Sequence, residues 1–325
     1  MAPSTKNVAL PGASGHIGSK ILKALLETNE FNITVFSRNP NTKFPAGVTV
    51  KSVDFTSVPA LTEALRGQDV VIDATSPADP RGPVKLMDAA AAANVYRFIT
   101  SDYGTDPFNP KMQGLPIFAR KNEGFAHLQQ LAQDGRLTWS SVVNGPWLDG
   151  QLQSGGMGVD VFSKKIRLVD DGTNKFAWST MDAIGKAVAG VLLHPEDTAN
   201  RPVYIHSIYD SVAKVADLAQ QALGSDNWTV EKTDRKTLFD KAVADYAAGV
   251  YTMQVFADQI EAACADPEYA SVWPRDDNKL LGVKTLTDDE VRNLIVDLAW
   301  NRTDSILTVE GTLSAAALER KPGSG

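Results

Sequence analysis

Short apolar runs and longer segments with helical spacing of apolar residues alternate along the first 150 residues. The apolar runs predict strands, and apolar side chains three and four residues apart predict helices. This alternation is typical of a parallel sheet covered by helices on both faces, with right-handed crossovers. The predicted strands are 7–11, 32–37, 48–53, 69–74, 95–100 and 137–143, and the predicted helices are 16–27, 58–66, 82–93 and 116–133.

The pattern changes after residue 150. Residues 151–179 are rich in glycine, which predicts loops and short strands. A helix is predicted at Met181–Leu193, and a strand that returns to the first sheet is predicted at 203–205. Four further helices are predicted at 211–223, 234–246, 250–264 and 287–299. We therefore predict an α/β fold with a doubly wound parallel sheet from 1–150 plus about 180–206, a smaller, mainly helical domain from about 151–179 and 207–318, and a frayed tail at 319–325.

Composition restricts the class of function. The 325 residues suffice for a sizeable core, and a net charge of −7 without a basic stripe argues against nucleic acid as a partner. Cys264 is the single cysteine of the sequence, which excludes an internal disulfide and indicates a reducing compartment. The four histidines lack metal-ligand spacing, so we expect no metal. No apolar run is long enough to span a membrane, so we expect a cytoplasmic protein.

Three glycines follow the first predicted strand, in the segment GASGHIG at 12–18. Gly12 permits a tight turn, Gly15 lets the backbone approach phosphate groups, and Gly18 lets the first helix pack close to the strand. The helix N-terminus favours negative charge through its free N–H groups and its dipole. This layout predicts a Rossmann-type dinucleotide site, the alternative being an ordinary turn. Further cofactor contacts are expected from Ser14, His16 and Ile17, with a surface position as the alternative for His16.

Ser37 and Arg38 follow the second predicted strand, where this architecture holds the adenosine ribose. An acidic residue at this place favours NAD, whereas a cation with a hydroxyl can bind the 2′-phosphate of NADP. A guanidinium pairs with phosphate in a planar, bidentate geometry. We therefore expect NADPH or NADP as the cofactor. The alternative is an arginine in a solvated turn.

Polar residues also follow the third and fourth predicted strands, and ligands of doubly wound folds bind outside the carboxyl ends of strands. Asp54 and its neighbour Phe55 are candidates for contact with the adenine, although a turn or a helix cap explains Asp54 equally well. Thr75 and Ser76 are expected to line the cofactor crevice.

Candidates for substrate contact come from the end of the fifth strand and from the apolar residues beyond 145. Asp102 and Tyr103 are expected to face the crevice, although loop polarity explains them nearly as well. Trp147 and Met157 are candidates for an apolar pocket, with a place in the core as the alternative.

The helix predicted at 116–133 carries a lysine within its apolar stripe. The stripe runs through Phe118, Phe125 and Leu128, and Lys121 fills its one gap. An ammonium on a face toward a sheet is costly unless it points into a polar site or its stem reaches past the sheet edge. A desolvated lysine beside a cofactor has a lowered pKa and can exchange a proton near neutral pH. We therefore expect Lys121 to be the catalytic residue, with a solvated end of the side chain as the alternative.

Taken together, several segments resemble the NmrA-like, isoflavone reductase-like family of atypical short-chain dehydrogenases. These segments are GASGHIG at 12–18, Ser-Arg at 37–38, VYRFITSDYG at 95–104, Lys121 and Asn-Gly-Pro-Trp at 144–147. The resemblance covers about the first 150 residues closely and the rest loosely. The Tyr-x-x-x-Lys dyad of the common short-chain dehydrogenases is broken, because Ile117 stands at the tyrosine position.

The resemblance implies an NADPH-dependent reductase that transfers hydride to an aromatic, phenolic or enone-type substrate. It implies that Arg38 binds the NADPH phosphate and that Lys121 handles a substrate proton or binds the nicotinamide ribose, with Asn144 and Pro146 among the cofactor contacts. The segment Ser-Asp-Tyr-Gly at 101–104, where plant reductases usually show Ser-Glu-Phe-Gly, leaves the substrate open. The smaller domain is expected to bind the substrate, and the protein to be a monomer or homodimer. A non-catalytic, dinucleotide-sensing regulator of a partner protein is the alternative, although such a sensor needs no proton-exchanging lysine.

Overall fold

Twelve strands occur in the described part of a computed structural model, which covers residues 5–39, 41–76, 79, 81–270 and 272–300. The tail predicted at 319–325 therefore lies outside the described residues. The strands are β1 (Asn7–Pro11), β2 (Asn32–Ser37), β3 (Val48–Ser52), β4 (Val70–Ile72), β5 (Arg97–Ile99), β6 (Thr138–Val143), β7 (Val159–Asp160), β8 (Lys165–Val169), β9 (Lys175–Trp178), β10 (Arg201–Tyr204), β11 (Ile208–Ser211) and β12 (Thr229–Thr233).

Eleven α-helices and one 3-10 turn, Pro116–Phe118, occupy the rest of the described elements. The helices are α1 (His16–Thr28), α2 (Val58–Leu65), α3 (Gly82–Ala92), α4 (Pro110–Gln113), α5 (Ala119–Gln133), α6 (Leu148–Ser154), α7 (Met181–Leu193), α8 (Val212–Leu223), α9 (Arg235–Ala247), α10 (Met253–Cys264) and α11 (Asp288–Trp300).

Seven strands form one parallel sheet in the order β10-β6-β5-β4-β1-β2-β3. All carboxyl ends therefore meet at one edge, and the strand order reverses between β1 and β4, where doubly wound folds open a ligand crevice. The predicted α/β fold class is confirmed. The strand predicted at 203–205 does return to this sheet, as β10 beside β6.

Each face of the sheet has its own apolar core. Helices α1 and α7 cover one face, where Ile21, Leu25 and Ile184 are fully buried. The two helices approach closely, since a Cβ atom on Gly185 would lie 2.5 Å from the carbonyl oxygen of Lys20. Helices α2, α3 and α5 cover the other face, where Leu128 is fully buried. The apolar stripes that predicted these helices are the surfaces that pack on the sheet.

The remaining elements form a mainly helical region with two small sheets. One sheet has the order β12-β8-β7, and the other pairs β11 with β9. The sequence pattern did not predict β12, because its residues are mostly exposed and show no alternation of apolar and polar positions. The short helices α4 and α6 also lie where we predicted no separate helix. A further apolar cluster joins Met112, Leu115 and Phe118 of the α4 region to helices α9 and α10.

Candidate functional site

The glycine segment forms a tight turn between β1 and α1. Gly12 has φ of +85°, and a Cβ atom there would lie 2.2 Å from the carbonyl oxygen of Ala74. A Cβ atom on Gly18 would lie 2.0 Å from the carbonyl oxygen of Gly12. Neither position tolerates a side chain. Helix α1 and the segment after β4 therefore pack directly against the turn.

Gly15 differs from the other two glycines. Its φ of −76° suits any residue, and a Cβ atom there would meet just the Gly12 carbonyl oxygen, at 3.3 Å. Its exposed face therefore leaves room for a ligand. Gly15 is also the N-cap of α1, and no side chain caps the N–H groups of the first turn. This is the arrangement that accepts a phosphate, so the cradle fits a dinucleotide.

The other residues predicted in this turn differ in exposure. Ser14 is exposed and His16 is half-buried at the first position of α1. Ile17 is buried and packs in the core beneath α1. Its side chain thus belongs to the fold, and only its backbone is placed near the turn.

Ser37 and Arg38 lie where β2 ends. The Ser37 hydroxyl donates a hydrogen bond to the carbonyl oxygen of Asn39 at 2.8 Å and accepts one from the Asn39 N–H at 3.1 Å. It shapes the turn that presents Arg38. Arg38 is exposed and has no hydrogen-bond or ion-pair partner among the described residues. A guanidinium held in this way at the sheet edge is free to meet a phosphate.

Asp54 closes a turn after β3. Its carboxylate accepts hydrogen bonds from the N–H and the hydroxyl of Thr56, at 2.8 and 2.7 Å, and these bonds lower the pKa of Asp54. Ser57, and not Asp54, is the N-cap of α2. The alternative of a helix cap is therefore wrong, whereas the turn is present. Phe55 is half-buried against the core of the α2 face.

A buried carboxylate that we did not predict lies at the end of β4. Asp73 is 0% exposed, and its Oδ1 atom accepts hydrogen bonds from the N–H of Thr75 at 2.9 Å and from its hydroxyl at 2.6 Å. These bonds lower the pKa of Asp73, but burial dominates and raises it to about 6. Thr75 is thus occupied with Asp73, while Ser76 is exposed. The aspartate within VVIDA, an apolar strand, was the available signal.

Tyr103 and Trp147 are linked to each other beside β5. The Tyr103 side chain is buried, and its hydroxyl donates to the backbone oxygen of Asp73 at 3.1 Å. Burial raises the pKa of Tyr103 well above its ordinary value. The hydroxyl therefore fixes the strand ends and does not face the crevice as expected. The half-buried Trp147 donates its indole N–H to the Tyr103 carbonyl oxygen at 2.9 Å.

The segment after β6 and the position of Met157 complete the predicted set. Asn144 is buried, its side-chain amide donates to the Gly145 carbonyl oxygen at 2.6 Å, and Pro146 is half-buried beside it. Met157 is 2% exposed and packs among the apolar residues of the second region. The structure therefore places Met157 in the core, which was the alternative to a pocket position.

Lys121 lies in the first turn of α5, at the carboxyl edge of the sheet. Its side chain is 49% exposed, so the expected burial is wrong. The predicted stripe counted Phe118 as part of the helix, but α5 begins at Ala119 and Phe118 belongs to the preceding 3-10 turn. The apolar stripe of α5 therefore starts at Phe125, and Lys121 lies before it. The Lys121 ammonium lies 3.5 Å from Oδ1 of Asp102, whose side chain is 20% exposed. Lys121 and Asp102, predicted from separate segments, are thus brought together.

Lys121 and Asp102 line one small, open cleft. Its apolar wall is formed by Met112, Phe118 and Phe125, and its polar side includes Asp106, which we did not predict. Burial raises the pKa of Asp106. A cleft with apolar walls and a few convergent polar groups is typical of a small-molecule site.

No group of three or more metal-ligating side chains is found among the described residues. Among the same residues no helix is both long and apolar enough to cross a membrane.

Comparison with known proteins identifies the class. Residues 12–160 match a family described as NAD(P)H-binding. The chain is 32% identical over 299 residues to the oxidoreductase poxI of Penicillium oxalicum, covering 88% of this chain and 92% of that protein. It has the fold of an isoflavone reductase, with a TM-score of 0.70 at 19% identity, covering 89% of this chain and 99% of the other. The Vitis vinifera leucoanthocyanidin reductase bound to NADPH gives a TM-score of 0.70 at 15% identity over the same shares.

The chain is therefore an NAD(P)H-dependent oxidoreductase with a Rossmann-type sheet. It belongs to the NmrA-like, isoflavone reductase-like family of atypical short-chain dehydrogenases. The resemblance inferred from the motifs is confirmed.

Proposed function

We propose that this chain is an NADPH-dependent reductase of a small aromatic, phenolic or enone-type metabolite, with Lys121 handling a substrate proton. The observation that carries the proposal is the Lys121–Asp102 pair on an apolar cleft, at the same sheet edge as the glycine turn and Arg38. A reductase needs both features at one edge, because cofactor and substrate must meet.

The first part of the proposal concerns the cofactor. Gly15 and the first turn of α1 would hold the pyrophosphate, and Arg38 would pair with the 2′-phosphate of NADPH. Ser37 supports this role by fixing the turn that carries Arg38. Further contacts are proposed at the same edge, with Ile17 acting through its backbone. They come from Gly12, Ser14, His16, Ile17, Gly18, Asp54, Phe55, Thr75, Ser76, Lys121, Asn144 and Pro146.

The second part concerns the proton. When bound, the cofactor supplies a hydride, and reduction of a carbonyl or enone then requires a proton at an oxygen or carbon of the substrate. The Lys121 ammonium has three N–H donors and forms an ion pair with a single carboxylate oxygen of Asp102 at 3.5 Å, so donors remain for a substrate. Lys121 can therefore donate to substrate while Asp102 holds it in the cleft. Its exposure lets it regain a proton from water.

The apolar wall supports the substrate class. Phe125 packs edge-to-face on Trp139 with ring centroids 4.9 Å apart, which fixes one side of the cleft. Met112 and Phe118 add side chains that suit a planar, apolar ring. Asp102 is proposed to contact the substrate directly. Trp147, whose indole N–H is bound to the Tyr103 carbonyl oxygen, is proposed to lie at the border of the site.

Oxidation of NADPH by the purified protein tests the proposal, followed by absorbance with a panel of phenols, aromatic ketones and enones. We expect turnover of at least one aromatic or enone compound with NADPH and a weaker rate with NADH. Titration of both dinucleotides in the absence of substrate provides the binding control. No turnover with any compound, together with equal affinity for the two dinucleotides, would instead support the dinucleotide sensor.

A further inference from the structure

The cleft beside Lys121 contains a carboxylate that has no cationic partner among the described residues. Asp106 accepts a hydrogen bond from the Phe108 N–H at 2.8 Å and from the Tyr204 hydroxyl, which lies 3.3 Å from each carboxylate oxygen. Both donors are neutral. Burial raises the pKa of Asp106, although the bonds from Phe108 and Tyr204 oppose that effect. A partly buried carboxylate without a countercharge is costly, so its presence in a ligand cleft requires a reason.

The charge balance of the cleft is negative. Its lining contributes one ammonium, Lys121, and two carboxylates, Asp102 and Asp106, which gives a formal charge of −1. The ammonium faces Asp102 and so does not neutralise Asp106. The arginines near Tyr204 do not neutralise it either, because Arg201 and Arg275 both pair with Asp277.

Tyr204 holds this carboxylate in place. The tyrosine ends β10, is 5% exposed, and packs its ring on Trp273 with centroids 5.6 Å apart. Burial and the neighbouring Asp106 raise the pKa of Tyr204, so its hydroxyl stays a neutral donor. Since a carboxylate accepts at about four lone-pair sites, two donors leave Asp106 able to accept another hydrogen bond.

We propose that Asp106 is a specificity-determining residue, which accepts a hydrogen bond from a hydroxyl or amine of the substrate and excludes substrates with a negative charge. This inference rests on the proposed function and names the substrate class of the same cleft. An anion would meet an uncompensated carboxylate in a partly buried site, where charges are poorly screened. A neutral phenol or alcohol would instead satisfy Asp106, and its methyl ether would leave that acceptor unpaired.

Three substrates with one reducible enone and different substituents on the ring test this inference: a phenol, its methyl ether and a carboxylate. We expect the wild-type kcat/KM to be highest for the phenol and at least about tenfold lower for the carboxylate. Asp106→Asn should raise the relative kcat/KM of the carboxylate by about tenfold. Asparagine keeps the shape and one acceptor oxygen but removes the charge.

Two control variants separate local charge from other effects. Asp134→Asn changes the net charge of the protein equally at the exposed end of α5, and it should leave the substrate ratios unchanged. Tyr204→Phe keeps the Asp106 charge and removes one of its donors, so discrimination against the carboxylate should persist. Melting temperatures establish that each variant is folded.

The outcomes are distinguishable from failure of the proposed function. Equal use of phenol and carboxylate by the wild type, or ratios that Asp106→Asn does not change, would overturn the role of Asp106 while the reductase remains. If no compound is reduced, the proposed function fails, and equilibrium binding of the same three compounds still tests the cleft. Wild-type protein that binds the phenol more tightly than the carboxylate, with this preference lost in Asp106→Asn, would support the inference. Equal binding of phenol and carboxylate by the wild type would refute it.

Discussion

The ammonium nitrogen of Lys121 lies 3.5 Å from Oδ1 of Asp102 and joins the first turn of α5 to the segment after β5. The pair is part of the cleft lining and is not buried in the core. An exposed ion pair contributes little to stability. We therefore expect substitutions here to change catalysis far more than folding.

Lys121→Ala should lower turnover by roughly a hundredfold or more, because general acid–base catalysis contributes about that much. NADPH affinity should fall little if the lysine transfers a proton to the substrate. It should fall together with turnover if the lysine binds the nicotinamide ribose. Turnover, NADPH titration and melting temperature on one protein separate these roles.

Lys214→Ala is the matched control for this experiment. Lys214 forms a partly exposed ion pair with Asp288 at 2.7 Å in the mainly helical region, away from the residues lining the cleft. Its loss should leave turnover unchanged. Full activity in Lys121→Ala would contradict the catalytic assignment and leave the proposed reductase without a named proton donor.

Arg38→Asp should weaken NADPH binding by about ten- to a hundredfold, because it removes a charge-assisted hydrogen-bond pair and adds repulsion. NADH, which lacks the 2′-phosphate, should be affected much less. Arg66→Asp is a suitable control, since Arg66 is an exposed arginine paired with Glu63 at the end of α2. Unchanged NADPH affinity in Arg38→Asp, measured by fluorescence titration, would show that this guanidinium is merely solvated.

The sheet was predictable because its signals are local. Each central strand is a short apolar run, and each flanking helix repeats its apolar residues at a period that its own backbone sets. The predicted bounds of 7–11 and 32–37 agree with β1 and β2. At the start of α11 the Thr287 N–H donates to the Glu290 carboxylate and the Glu290 N–H donates to the Thr287 hydroxyl, which is a local capping box. The turn at 12–18 was predictable for the same reason, because the spacing of its three glycines is a local signal.

The rest of the site depends on contacts between distant segments. Asp106 and Tyr204 are 98 residues apart and meet only because β10 returns to the sheet. Arg97, a cation within a buried strand, is held by Ser140, Thr198 and the Pro195 carbonyl oxygen, and none of these can be inferred from its sequence neighbours. The exposure of Lys121 followed from where α5 begins, and helix ends are poorly specified by periodicity.

Gly15→Val should abolish dinucleotide binding while leaving the protein folded. The backbone at Gly15 is compatible with a side chain, and the added Cβ atom would lie 3.3 Å from the Gly12 carbonyl oxygen, a tight contact that a shift of a few tenths of an ångström relieves. The side chain would, however, occupy the face through which phosphate approaches. Gly18→Val provides the contrast, because its Cβ atom would lie 2.0 Å from the same oxygen and should destabilise the fold. Normal NADPH binding by Gly15→Val would refute the assignment of this turn.

Asp73→Asn should stabilise the protein near neutral pH. The pKa of Asp73 is raised from 3.8 to about 6 in the folded chain, mainly by burial, so the folded state binds a proton more tightly than the unfolded state. Below pH 3.8 the carboxyl is protonated in both states and imposes no penalty. As pH rises from there to about 6, the unfolded state ionises first and folding stability is lost. The full cost is reached at about pH 7, roughly one pH unit above this pKa, and is on the order of 3 kcal/mol.

Asparagine removes that cost, keeps an oxygen that can accept from Thr75, and lacks a titrating group. Oδ2 of Asp73 is buried and has no hydrogen-bond partner among the described residues, so the carboxylate gains little from its second oxygen. Loss of the charge-assisted bonds from Thr75 offsets part of the gain. Denaturant unfolding of both proteins from pH 4.5 to 8 measures the difference. The free energy of unfolding of Asp73→Asn should exceed that of the wild type by an amount that grows up to about pH 7 and is then constant. A difference independent of pH would show that Asp73 does not titrate in this range.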